Sequence, residues 1–192
     1  MADVSGKGIP AALFMVIGKT LIKEYSKTDL DPASIFTKVN QILCESNKEG
    51  LFITAFEGIL NLSTGEFYYV NAGHELPFLA KKNQPFRQVS IFPNFVLAGM
   101  EDMTYQSGKV VLECGDKLFQ YTDGVPEATN QNNELFGMER LEMALNKEQG
   151  QSPIQIIESV QEEVDIFVED APQFDDITML CLEFKRKKET AQ

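Results

Sequence analysis

The chain has 192 residues, 43% of them apolar and 24% charged, which suits one soluble globular domain with a sizeable core. Its 29 acidic residues outweigh 17 basic ones for a net charge of -12, which argues against a nucleic-acid partner or insertion into an anionic membrane. No apolar run approaches the roughly 20 residues that span a bilayer. The scattered Cys44, Cys114 and Cys181 form neither a Cys-x-x-Cys pair nor a disulfide framework, which fits a reducing cytoplasm.

The first six-residue motif, Asp3-Val-Ser-Gly-Lys-Gly8, puts an acidic residue on a glycine-rich turn. A helix is predicted over 9–25, with Pro10 in its first turn and Leu13, Ile17 and Leu21 as its buried stripe. Asp31-Pro32 caps and opens a second helix whose Ile35, Val39, Ile42 and Leu43 face the core. Residues 51–60 and 66–71 read as a hairpin about the turn at 61–65, and 76–82 and 88–92 as two short strands. A connecting loop over 93–108 leads to a second strand pair, 109–113 and 116–122, joined at Cys114-Gly115.

Beyond a polar stretch at 129–134, a short helix is predicted over 138–146. A longer helix opens at Ser152-Pro153, with Ile156, Ile157, Val160, Val164 and Phe167 on its buried face. A final strand covers 177–184, and Lys185-Arg186-Lys187-Lys188 begins a solvated tail. Helices at both ends and strands between them give an α+β class with mainly antiparallel sheet, as one domain over 1–184 and a charged tail over 185–192.

Three motifs place carboxylates where a loop meets a buried strand: Asp3, Asp123 in Tyr121-Thr-Asp-Gly124, and Asp175-Asp176 before Ile177-Thr-Met-Leu-Cys-Leu182. A carboxylate there is costly to desolvate unless a cation, a proton or several donors offset it. Adjacent Asp175 and Asp176 also repel unless a cation sits beside them. Hard oxygen donors from distant parts of one chain suggest a shared magnesium or manganese centre; turns and helix caps are the structural alternative for each motif taken singly.

Gly6-Lys7 is not a Walker loop, because Gly8 follows the lysine where Ser or Thr is needed. Residues 123–134 do not form a calcium hand, since Val125 and Ala128 stand where a ligand and a glycine are required. His74, the single histidine, reads as a hydrogen-bonding residue that fixes a turn, with a catalytic base as the alternative.

Taken in order, the motifs resemble the PPM (metal-dependent, type 2C-like) protein phosphatases, in the bacterial branch named for stage II sporulation protein E. The pieces are Asp3-Val-Ser-Gly-Lys-Gly8 with Ala11-Ala-Leu13, Phe52-Ile-Thr54, Val70-Asn-Ala-Gly-His74 with Pro77, and Gly115-Asp116. They continue with Tyr121-Thr-Asp-Gly124 and Glu127-Ala128, Phe136-Gly137, and Phe174-Asp-Asp-Ile-Thr178.

The resemblance implies an αββα four-layer sandwich of two antiparallel sheets flanked by helices, with two or more Mn2+ or Mg2+ ions. Asp3 and the backbone carbonyl of Val4, Asp123 and Asp175 would be metal ligands, with Asp176 accessory. It also implies strands and a Gly-Asp-x-x-Asp-like motif before Met1, so the domain is expected to lack its N-terminal strands.

On this pattern a metal-activated water hydrolyses a phosphoserine or phosphothreonine on a bacterial signalling protein, an anti-sigma-factor antagonist. An upstream sensor or receiver domain in a longer chain, in the cytoplasm or as the cytoplasmic part of a larger sensor, completes the expectation. A phosphatase-like domain that only binds a regulatory partner is the alternative, and a small-molecule phosphoesterase a third.

Overall fold

A computed structural model describes residues 1–92, 94–148, 150–173 and 175–185. Phe174 of the last motif and the basic tail beyond Lys185 lie outside the described residues. The chain divides into two compact units: Met1–His74 with Ile91–Val111, and Glu75–Ser90 with the chain from Leu112 onward.

In the first unit, β1 (Ala2–Val4), β2 (Ile53–Leu60), β3 (Glu66–Ala72) and β6 (Ser107–Val111) form an antiparallel sheet in the order β1-β2-β3-β6. The hairpin β2–β3 closes as expected: the Asn61 N–H donates to the Glu66 carbonyl at 2.8 Å, and Asn61 Oδ1 accepts the N–H groups of Ser63 and Thr64. Helices α1 (Ile9–Tyr25) and α2 (Pro32–Ser46) pack on this sheet. Asp31 caps α2 by accepting from the N–H groups of Ala33 and Ser34, at 3.0 and 3.3 Å. Ile35, Phe36, Val39 and Leu43 of α2 join Ile53, Val70, Ala72 and Leu97 in a closed core.

The stripe expected on α1 is corrected by the structure. Ala11, Phe14 and Gly18 are its buried residues, while Leu13 is 60% and Ile17 45% exposed. Ala11, Phe14 and Gly18 also recur at helical spacing; Gly18, where a Cβ would lie 2.5 Å from the Ile53 side chain, lets the helix lie close to Ile53, and of the expected stripe Leu21 packs partly buried against the core.

In the second unit, β4 (Phe78–Ala80), β5 (Arg87–Gln88), β7 (Lys117–Tyr121) and β8 (Met179–Glu183) form an antiparallel sheet in the order β5-β4-β7-β8. The strand expected over 88–92 is thus shorter and earlier: Arg87 and Gln88 pair with β4, the Val89 N–H reaches the Pro77 carbonyl, and at Ile91 the chain passes to the first unit.

Helices α3 (Gly137–Leu145) and α4 (Pro153–Val168) complete this unit. Ser152 and Gln155 form a capping box at the start of α4. Phe119 and Tyr121, on one face of β7, pack with Leu141, Leu145, Ile156, Val160 and Val164 in a second core. The fold is therefore α+β, with two antiparallel sheets and four helices among the described residues.

The turn between β6 and β7 is locked by Asp116, which is 1% exposed. Its carboxylate accepts from Lys81 Nζ at 2.7 Å and from the N–H groups of Lys82 and Glu113 at 3.0 and 2.8 Å. Burial alone would push this carboxyl up, but the ammonium and the two N–H donors outweigh it and hold it below the usual carboxylate range. Among the described residues no helix is long and apolar enough to cross a membrane.

Candidate active site

In the first unit Asp3 lies on β1 directly opposite Thr54 of β2. The Thr54 hydroxyl and His74 Nδ1 share a hydrogen bond of 2.9 Å. His74 is only 6% exposed; its N–H donates to Asn71 Oδ1 at 2.7 Å, and Asn71 Nδ2 donates to its carbonyl at 2.8 Å. The Asn71 side chain therefore closes the turn at the end of β3 on the main chain of His74, and the imidazole, hydrogen-bonding as expected, reaches Thr54, the residue paired with Asp3.

After Val4, the Ser5 N–H donates to the Phe52 carbonyl and the Phe52 N–H to Ser5 Oγ, at 2.9 and 2.8 Å. The backbone then turns at Gly8, whose φ of 83° and ψ of -163° are open in practice only to glycine. The Gly8 carbonyl accepts the Ala12 N–H at 3.0 Å and starts α1. Asp3-Val-Ser-Gly-Lys-Gly8 is thus a strand end, a turn and a helix start, with Asp3 and Val4 half-buried.

In the second unit the other aspartates are brought together by Thr122. Its N–H donates to the Thr178 carbonyl, its hydroxyl donates to the Asp176 carbonyl, and that hydroxyl accepts from the Thr178 N–H, each at 3.0 Å. This clamp continues the β7–β8 ladder by one residue and sets the main chain of Asp123 beside that of Asp176.

The approach is so close that a Cβ on Gly124 would lie 2.4 Å from the Asp176 carbonyl oxygen. Gly124→Ala is therefore expected to destabilise the protein by about 1–3 kcal/mol, because rigid backbone must move to admit the methyl group. A urea midpoint unchanged from the parent would show that the two turns separate freely. Asp123 and Asp175 are half-buried and Asp176 exposed; Asp175 Oδ1 accepts the Asp176 N–H at 2.8 Å.

Two carboxylates without an assigned role emerge beside Asp123. Burial first, then the charges of Asp123 and Glu127, push the Glu75 carboxyl above the usual range, and the Tyr121 hydroxyl donates to it at 3.4 Å. The Glu75 carbonyl accepts from Gln120 Nε2 at 2.7 Å, which fixes this residue against β7. Glu127 lies one helical turn beyond Asp123, whose carbonyl accepts its N–H at 2.9 Å. Glu127 stands inside a recognisable motif, whereas Glu75 carries no signal beyond following the single histidine. Among the described residues no three His, Cys, Asp or Glu side chains converge closely enough to hold a metal ion by themselves.

The family model of stage II sporulation protein E (SpoIIE) matches residues 1–185. The chain belongs to the SpoIIE family. It is a SpoIIE-type PPM phosphatase domain, as its ordered motifs imply. Over 186 residues it is 28% identical to the phosphoserine phosphatase RsbU of Bacillus subtilis (strain 168), covering 96% of this chain and 55% of that protein. It is 27% identical over 210 residues to protein IcfG of Synechocystis sp. (strain ATCC 27184 / PCC 6803 / Kazusa), covering 95% of this chain and 33% of the relative. The SpoIIE-type chain thus spans about half and about a third of these two curated relatives.

Among solved structures it shares its fold with the SiaA-PP2C domain of Pseudomonas aeruginosa, at a TM-score of 0.81 and 20% identity over 96% of this chain and 74% of that one. The catalytic domain of the serine/threonine protein phosphatase PstP, crystallised with two manganese ions, matches at a TM-score of 0.63 and 13% identity over 94% of this chain and 84% of that one.

Proposed function

We propose that residues 1–184 act as a divalent-metal-dependent phosphoprotein phosphatase. The observation that carries this reading is the Thr122 clamp, which holds the turn after Thr122 against the main chain of Asp176 in a chain of the SpoIIE family. Asp3, the Val4 carbonyl, Asp123 and Asp175 are the proposed ligands, with Asp176 accessory. The donor set fits the group: it is all oxygen, and the charge of Asp123 adds to burial in raising the carboxyl of Glu75. Magnesium keeps several waters in its shell, so a site with few protein ligands remains consistent with it.

Bound there, Mn2+ or Mg2+ would lower the pKa of a coordinated water and neutralise charge on the phosphoryl oxygens. The protein's own part is positioning. Thr122 holds the two acidic turns together, His74 braces the strand opposite Asp3, and Glu75 takes up a proton more readily than a surface glutamate, easing repulsion from Asp123.

The proposed substrate is a phosphoserine or phosphothreonine on an anti-sigma-factor antagonist. The RsbU relative, a phosphoserine phosphatase, supports that class. A sensor or receiver domain in the same polypeptide and a cytoplasmic setting complete the proposal, consistent with relatives longer than the matched region and with three free cysteines. The test compares phosphoserine peptides with small phosphate esters in the presence of manganese. Faster release from the peptides is expected, and hydrolysis of small esters alone would point to a small-molecule phosphoesterase.

A further inference from the structure

The second unit holds a cavity of about 230 Å³ whose lining includes Gly124 and Asp175, the residues flanking the Thr122 clamp. Its lining is mixed: Val164 and Val168 of α4 and Ile177 of the β8 approach give it an aliphatic wall, and Thr129, Gln161 and Gln173 add polar side chains. Its lining also carries the carboxylates of Glu127, Asp165 and Glu169, all exposed to solvent, and among the described residues contains no lysine or arginine.

A trough with an aliphatic wall and solvent-exposed carboxylates around it, one of them (Asp165) already accepting from Gln161 Nε2 at 2.7 Å, matches one kind of protein side chain. The methylene stem of arginine or lysine covers apolar surface while its charged head stays in water beside anions. A purely apolar side chain would strip water from those carboxylates without replacing it, and an acidic one would be repelled.

We propose that this cavity is a substrate subsite that receives a basic side chain lying close to the phosphorylated residue, arginine above all. The proposal rests on the phosphatase reading for the identity of the bound protein. The position follows from the geometry: Asp175 belongs to both the cavity and the proposed ligand set, Gly124 of the lining follows Asp123, and an extended peptide advances about 3.3 Å per residue. The basic residue therefore falls within about four positions of the phosphoserine. Arginine is favoured over lysine because its planar fork meets carboxylates in pairs of hydrogen bonds. Specificity is set by Asp165 and Glu169, which belong to α4 and its C-terminal cap rather than to the metal-binding turns.

The test uses two phosphoserine peptides that differ at one position, arginine in one and its neutral isostere citrulline in the other. With the parent protein the arginine peptide is expected to show a kcat/KM about tenfold higher, expressed mainly in KM; in Asp165→Asn/Glu169→Gln the preference falls to about twofold while aryl phosphate turnover is unchanged. Binding of the two unphosphorylated peptides, followed by NMR shifts of the Val164 and Val168 methyl groups, gives the same comparison without turnover. Equal binding of both peptides, or a preference that survives the double substitution, overturns the subsite. Absence of phosphate release from every substrate would instead count against the phosphatase reading, and the binding comparison would still decide the subsite.

Discussion

Asp123→Asn is expected to lower phosphate release by about a thousandfold and to weaken manganese binding, while leaving thermal stability within about 2 °C of the parent. The residue is half-buried, no hydrogen bond involving its carboxylate is found among the described residues, and only its carbonyl is used by the fold, in accepting the Glu127 N–H. The amide keeps size and shape and removes the charge. A metal ion stabilises the transition state by several kcal/mol, and each 1.36 kcal/mol is tenfold in rate, which sets the size of the loss. Asp175→Asn should behave similarly. Steady-state kinetics with calorimetric manganese titration decides the matter, and a variant with parental turnover would remove Asp123 from the ligand set.

Asp116→Ala is the complementary case, with a large effect on stability and a small one on chemistry. Removing this carboxylate strands the N–H groups of Lys82 and Glu113 and breaks the ion pair with Lys81. Lys81 is 41% exposed and can return to water, so the expected loss is about 3 kcal/mol, toward the low end for a broken buried pair. For a chain of this size that lowers Tm by roughly 6–12 °C.

The loss should depend on pH with a definite sign. The folded carboxyl titrates below its ordinary value, so its contribution is complete above the usual carboxylate range and fades as pH falls through the lowered folded pKa. The Tm gap between parent and variant is therefore widest near neutrality and narrows in acid. A gap that widens in acid would contradict the assignment.

Much of the framework was legible in the sequence because its signals are local. Asp31-Pro32 and Ser152-Pro153 announced α2 and α4 through capping chemistry, and the turn at 61–65 announced the β2–β3 hairpin. The acidic turns were legible for the same reason: each motif is contiguous, and the largely apolar run ending at Tyr121-Thr122 placed Asp123 just beyond a buried strand.

What stayed hidden is tertiary. Leu13 and Ile17 satisfy helical periodicity as well as Ala11, Phe14 and Gly18 do, and only the contact with Ile53 decides which face is buried. The brevity of β5 follows from where the chain changes unit, which leaves no local mark. Glu75 looks like a surface glutamate until burial against β7 and the charge of Asp123 raise its carboxyl. Thr122 is an ordinary strand threonine in sequence, and its role in joining two acidic turns rests on the pairing of β7 with β8.

The measurement that tests the central claim most directly is phosphate release from a phosphoserine protein substrate after exhaustive chelation, followed by titration with manganese or magnesium. The account predicts no turnover in the metal-free protein, saturable recovery on adding either ion, and no recovery in Asp123→Asn/Asp175→Asn. Full turnover without metal, or metal-dependent turnover that survives the double substitution, would contradict it.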